Sequence, residues 1–162
     1  MIATELETLA REVGHALKKH ELKLATAESC TGGGAAQLVT AVAGSSAWFD
    51  RGFVTYTNVS KREMLGVKTT TLSRFGAVSE QTAREMADGA IAHSHAQVAL
   101  AITGIAGPSG GTPEKPVGMV CFAWAGKKRA TKSVKHHFTG DREAVRRQSI
   151  AVALQGLLEF LR

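Results

Sequence analysis

Ala25-Thr26-Ala27-Glu28-Ser29-Cys30-Thr31-Gly32-Gly33-Gly34 lies between two runs of different hydrophobic periodicity. Ahead of it, the apolar run of Leu22, Leu24 and Ala25 predicts a strand over 22–27. Behind it, Ala35, Leu38, Val39 and Val42 recur at i, i+3, i+4 and i+7, the spacing of a helix with one buried face. Ser29 therefore falls where a strand hands over to a helix. The N–H groups of Thr31 to Gly34 lack intrahelical partners at such a joint and carry the positive end of the helix dipole. Each glycine weakens a helix by about 1 kcal/mol relative to alanine, so propensity does not account for three in a row. Their physical use is close approach: with no Cβ, another molecule can lie against the main-chain donors.

Two functional readings follow. Either Ser29 is a nucleophile with neighbouring N–H groups as an oxyanion hole, or the loop holds a phosphate. The purely architectural reading is that Ser29 or Thr31 caps the helix and the glycines permit tight packing. The stretch matches neither G-x-x-x-x-G-K-[ST] nor G-x-G-x-x-G, so no nucleotide-binding motif is read from it.

A chain of 162 residues suits one domain with a real core and is short for two, so residues 1–162 are read as a single domain. Its 44% hydrophobic and 21% charged content is that of a soluble globular protein. No apolar run reaches the ~20 residues that span a bilayer, and the first residues do not have the pattern of a secretory signal. Cys30 and Cys121 give neither a disulfide framework nor zinc spacing, so a reduced, cytoplasmic setting is expected. The net charge of +6 favours anionic partners. Lys127, Lys128 and Arg129 read as a solvated turn rather than a nucleic-acid surface, and Arg142, Arg146 and Arg147 suit a single phosphate better than a polymer.

Outward from the glycines, Thr4 and Glu7 fit a capping box for an amphipathic helix ending near Lys19. Trp48 and Phe49 are expected to pack under a second strand over 52–57, rich in β-branched and aromatic residues. Asn58 can then cap a short helix that places Lys61 one turn in, and Leu72–Phe75 reads as another helical piece. Ser79 caps a helix in which Ala83, Met86, Ala87, Ala90 and Ile91 repeat at helical spacing. His93 and His95 follow it; neither they nor His136-His137 meet a third ligand in the sequence, so no metal site is read. Val98–Ile102 is a continuous apolar run, as in a central strand buried on both faces. It opens into a loop over 103–116 that holds all three prolines and four glycines. Strands over 117–125 and 130–138, joined by a short turn, must be antiparallel. Asp141 caps the last helix, with Ile150, Ala153, Leu154, Leu157 and Leu161 on its buried face. The order implies an α/β fold: a three-layer α/β/α sandwich around a mixed, mostly parallel five-stranded sheet.

Seven segments, in order from residue 27 to 142, carry a resemblance: A-E-S-C-T-G-G, G-S-S-A-W-F, Y-T-N-V-S-K, G-A-V-S-E, T-G-I-A-G-P, E-K-P-V-G and G-D-R. Together they resemble the CinA C-terminal domain family, in particular its stand-alone nicotinamide-nucleotide amidases. The resemblance implies hydrolysis of nicotinamide mononucleotide to nicotinate mononucleotide and ammonia, in pyridine-nucleotide salvage, with no metal or cofactor. It also implies a small-molecule partner rather than nucleic acid or membrane, and a homo-oligomer, a dimer, is expected. Carried over by position, Ser29 is the nucleophile, Lys61 the base, and Tyr56, Thr103 and Arg142 complete the site. Main-chain donors at Cys30, Thr31, Gly32 and Gly33 would hold the oxyanion, and Gly104, the Gly107–Gly111 backbone or Arg142 would bind substrate and its phosphate. Cys30 is the rival nucleophile. Where the family often has an acidic residue, this chain has Val59, which removes one possible support for the lysine. Two other readings stand beside this one: an amidase or esterase for a different small substrate, and a non-catalytic nucleotide- or phosphate-binding module linked to competence or DNA damage.

Overall fold

Along the third strand of the computed structural model, Val98, Leu100 and Ile102 point to one side of the sheet and Ala99 and Ala101 to the other. The fourth strand repeats this, with Val120, Phe122 and Trp124 on the first side and Cys121, Ala123 and Ala125 on the second. Side chains alternate across a pleated strand, so this sequence gives the sheet one bulky face and one nearly flat face. The structure describes residues 3–162. The elements are α1 (Ala3–Lys19), β1 (Leu24–Glu28), α2 (Gly34–Thr40), β2 (Phe49–Val54), α3 (Asn58–Leu65), α4 (Thr69–Phe75), α5 (Glu80–Ala92), β3 (Val98–Gly104), β4 (Met119–Gly126), β5 (Arg129–His137) and α6 (Arg142–Phe160).

The five strands lie in the order β2-β1-β3-β4-β5. β1 runs parallel to both β2 and β3, while β4 is antiparallel to β3 and to β5. Four strands therefore share one direction and only β4 opposes them, which makes the sheet mixed and mostly parallel. α1, α2 and α6 cover the bulky face. On the flat face α5 brings its own small residues, Ala83, Ala87 and Ala90, against the alanines of β1, β3 and β4. Small residues on both partners let helix and sheet approach closely, and Gly89 touches down where a Cβ would stand 2.0 Å from the Leu65 carbonyl oxygen.

Several boundaries differ from the sequence reading. β2 begins at Phe49, so Phe49 is the first residue of that strand, while Trp48 packs on α1, against Gly14. Thr4 stands inside α1 rather than capping it. Thr57, not Asn58, caps α3: its hydroxyl accepts the Ser60 N–H while the Ser60 hydroxyl oxygen accepts the Thr57 N–H. Ser79 and Asp141 cap α5 and α6 as the sequence indicates. No helix among the described residues is long and apolar enough to cross a membrane.

In this topology β1 is the turning point: the chain steps to β2 on one side, then crosses to β3 on the other. In open sheets of this kind the crevice beyond the carboxyl ends of such strands is where ligands bind. Ser29, the segment from Thr55 to Lys61, and Thr103 all lie at these strand ends.

Candidate active site

Lys61 is the most informative residue in the molecule. It is a lysine with 1% of its surface exposed. It occupies the first turn and a half of α3, and a helical side chain leans back toward its own N-terminus. That lean carries the amine to the segment just ahead of the helix, where Nζ lies 2.9 Å from the Thr55 carbonyl oxygen. The same Nζ lies 3.0 Å from Ser29 Oγ. Thr55 is held in turn by β1, its N–H donating to the Glu28 carbonyl at 2.8 Å. No carboxylate is among the hydrogen-bond partners of the amine, and Val59, exposed on α3, lies outside the pair.

Burial lowers the Lys61 pKa from its ordinary 10.5, because an ammonium loses its hydration there. In the neutral form the amine has a lone pair: it donates to the Thr55 carbonyl and accepts the Ser29 hydroxyl proton. An adjacent serine and neutral amine are the minimum that nucleophilic attack on a carbonyl needs.

The turn that carries Ser29 is fixed from beneath by Glu28, itself 1% exposed. Its Oε1 accepts the Thr31 hydroxyl at 2.6 Å and the Ala35 N–H at 2.8 Å, and its Oε2 accepts the Ala36 N–H at 3.1 Å. The dipole of α2 is thus met by a residue of the chain itself. This corrects the expectation that the helix start is open to a ligand. Gly32 and Gly33 have positive φ, +59° and +98°, which lets the chain turn from β1 into α2 within five residues. The Gly32 N–H donates to the Ser29 carbonyl at 3.0 Å, while no carbonyl among the described residues accepts the N–H of Cys30 or Thr31.

A cavity of about 300 Å³ opens in front of the pair. Ser29, Cys30, Tyr56, Lys61, Thr103 and Arg142 line it together with the loop from Gly104 to Gly111. Thr31, Gly32 and Gly33 do not line it. The Thr103 hydroxyl donates to the Ala77 carbonyl at 2.8 Å, closing the floor. Arg142 spans the mouth, donating to the Tyr56 hydroxyl at 3.0 Å and to the Gly107 carbonyl at 2.7 Å. Gly104 and Gly107 are explained by packing, since a Cβ would stand 2.6 Å from Val120 at the first and 2.5 Å from Val117 at the second. No acidic side chain lines the cavity, which suits an anionic ligand. Burial pushes the Cys30 thiol up to about 12, so the neighbour of Ser29 is a protonated thiol at neutral pH. A larger cavity of about 420 Å³ lies between β5 and α6, lined by Trp124 and Phe160 and by neither Ser29 nor Lys61. Among the described residues no group of three or more His, Cys, Asp or Glu side chains is arranged to hold a metal ion.

Two residues act differently from what the sequence suggests. Glu28 carries no role in the sequence reading, although an acid just ahead of a glycine-rich helix start is the signal for one. Arg146 reads as a phosphate ligand, and instead grips the carbonyls of Cys30 and Thr31 at 3.1 and 3.2 Å.

Fold and site define a class: an α/β domain with a serine hydroxyl and a buried lysine amine joined at the carboxyl end of its central strands. The CinA C-terminal domain model matches residues 6–161, and the chain belongs to that family. It is 52% identical to the nicotinamide-nucleotide amidohydrolase PncC of Enterobacter agglomerans, over 100% of this chain and 99% of that one. It is also 52% identical to the protein of the same name from Escherichia coli K12, over 97% and 95%. The solved structure of the competence/damage inducible protein CihA from Agrobacterium tumefaciens superposes with a TM-score of 0.97 at 45% identity, covering 100% of this chain and 99% of that one.

Proposed function

We propose that the protein is a nicotinamide-nucleotide amidase that hydrolyses nicotinamide mononucleotide to nicotinate mononucleotide and ammonia through an acyl-enzyme on Ser29. The observation that carries the mechanism is the 3.0 Å contact between Ser29 Oγ and the buried amine of Lys61. The substrate is supported by the two 52% identical relatives that bear this activity in their names. An amide is a poor electrophile, and a carboxamide on a pyridinium ring is a better one because the ring withdraws electrons. The positive ring also opposes protonation of the nearby amine, which keeps Lys61 in its basic form.

In the cycle, Ser29 Oγ bonds to the carboxamide carbon as Lys61 Nζ takes the hydroxyl proton. The oxyanion is met by the Cys30 main-chain N–H. Lys61 then passes its proton to the leaving nitrogen, the C–N bond breaks, and ammonia departs. Water attacks the ester carbon, giving a proton to Lys61, which returns it to Ser29 Oγ as the acyl C–O bond to the serine breaks; the carboxylic acid so formed releases its remaining proton to solvent and leaves as the carboxylate. The Arg142 N–H groups not engaged by Tyr56 and Gly107, and the open Gly107–Gly111 loop, are suited to the substrate phosphate. This reading assigns the reaction to pyridine-nucleotide salvage in the cytoplasm, with a small molecule as partner.

Ammonia release from nicotinamide mononucleotide and a panel of other small amides tests it. Wild-type protein is expected to turn over the mononucleotide, with Ser29→Ala and Lys61→Ala each reduced about a thousandfold or more while remaining folded. Turnover of a different amide with none from the mononucleotide refutes the substrate assignment, and full activity in Ser29→Ala refutes the mechanism.

A further inference from the structure

Arg146 lies on α6, far in sequence from the turn that carries Ser29, yet its side chain makes both of its hydrogen bonds there. Nε donates to the Cys30 carbonyl at 3.1 Å and Nη2 to the Thr31 carbonyl at 3.2 Å. Two successive carbonyls are thus held by one planar guanidinium, a fork whose geometry an ammonium cannot copy. Gly32 leaves room for this approach, since a Cβ there would stand 3.2 Å from Nη2.

A trans peptide points its C=O and N–H in opposite directions. With the Cys30 carbonyl drawn to Arg146, the Thr31 N–H is turned the other way. With the Ser29 carbonyl engaged by the Gly32 N–H at 3.0 Å, the Cys30 N–H is turned away from the interior of the turn. Cys30 lines the cavity, and neither of these two N–H groups meets a carbonyl among the described residues. Glu28 fixes the same turn from the other end, through the Thr31 hydroxyl and the start of α2.

We infer that Arg146 is a positioning residue for the reaction: its hold on the Thr31 carbonyl fixes the Thr31–Gly32 peptide, whose N–H holds the Ser29 carbonyl, and so aims the Cys30 N–H as the oxyanion donor beside Ser29. The inference rests on Ser29 being the nucleophile, as proposed above. It also removes Arg146 from the groups that bind the substrate phosphate, since Arg146, unlike Arg142, does not line the cavity. A donor aimed in advance acts only on charge that develops in the transition state, so its misalignment lowers kcat rather than raising KM.

The test compares wild type with Arg146→Lys, Arg146→Ala and the control Arg147→Ala, an exposed neighbour that is paired with Glu143 and, contrary to the sequence reading of it as a phosphate ligand, does not line the cavity. Two readouts are taken: steady-state ammonia release from nicotinamide mononucleotide, and the rate at which a small fluorophosphonate labels Ser29, followed by intact mass. Arg146→Lys is expected to lower kcat about tenfold to a hundredfold with KM changed less than about threefold, and to slow labelling by a similar factor. The apparent pKa of the acid limb stays in place, because Lys61 is untouched. Arg147→Ala keeps wild-type values. A raised KM with unchanged kcat and unchanged labelling overturns the inference and makes Arg146 a substrate ligand. If Arg146→Ala fails to fold, Arg146→Lys alone decides the matter. Wild type that is labelled but releases no ammonia sinks the substrate assignment alone, leaving labelling rates to judge Arg146. Wild type that does neither overturns both.

Discussion

Replacing Lys61 by methionine removes the amine while filling most of its volume, and so tests chemistry and energetics in one variant. General-base catalysis contributes about 10²–10⁴ in rate, or roughly 3–5 kcal/mol at 1.36 kcal/mol per tenfold. Lys61 is the hydrogen-bonded partner of Ser29 Oγ, so kcat/KM of Lys61→Met is expected to fall about a thousandfold. Stability moves differently. The folded-state pKa of Lys61 lies below its ordinary 10.5. Between those two values the unfolded chain binds more protons than the folded one, so wild-type stability rises with pH across that window. Each unit of depression means about 1.4 kcal/mol of stability missing below the window and recovered as pH approaches 10.5. Methionine abolishes this dependence, while leaving the Thr55 carbonyl without its donor at a pH-independent cost of about 1–3 kcal/mol. Urea unfolding of both proteins at pH 7 and pH 10 reads the difference, and ammonia release from pH 6 to 10 reads the rate. Wild type is expected to gain on the variant as pH rises, and its kcat/KM to rise through the same titration. A stability gap that stays constant with pH, or a variant that keeps a tenth of wild-type kcat/KM, refutes the reasoning.

Cys30→Ala is expected to retain kcat within about threefold, because a thiol pushed up to about 12 is not a thiolate at neutral pH; loss of turnover would make Cys30 the nucleophile. Glu28→Ala strands the N–H groups of Ala35 and Ala36 and the Thr31 hydroxyl, and is expected to cost about 3–5 kcal/mol in urea unfolding. A cost below about 1 kcal/mol would mean that solvent or another group takes over these donors. Gly89→Ala, which would stabilise an exposed helix, is expected to destabilise by about 1–3 kcal/mol and lower the melting temperature, since its Cβ would stand 2.0 Å from the Leu65 carbonyl oxygen. An unchanged or raised melting temperature would show that α3 and α5 can separate without loss.

What the sequence displays well is repetition along one element. The alternation of bulky and small residues in β3 and β4, the helical spacing of α5 and the two-residue turn at Lys127-Lys128 all follow from local patterns. The start of β2 is hidden because Asp50 and Arg51 look like loop residues; on an edge strand they reach solvent and each other, at 2.7 Å. Thr57 and Asn58 are both good caps, and it is the reciprocal bond with Ser60 that selects Thr57. The meeting of Ser29 with Lys61 is legible only through the resemblance, since nothing local ties residue 29 to residue 61. Arg146 shows the limit most sharply. A cationic side chain near a glycine turn reads as an anion ligand, and only the approach of α6 reveals that its partners are carbonyls.

On the proposed mechanism a covalent bond forms between Ser29 and the substrate acyl group with the help of a neutral lysine. Rapid acid quenching of wild-type protein with nicotinamide mononucleotide, with hydroxylamine present in a parallel reaction, tests it by peptide mass spectrometry. An acyl adduct is expected on the peptide containing Ser29, or diversion of product to the hydroxamate, and neither in Ser29→Ala. Ammonia release by wild type with an adduct on Cys30, or with neither adduct nor hydroxamate, would contradict it.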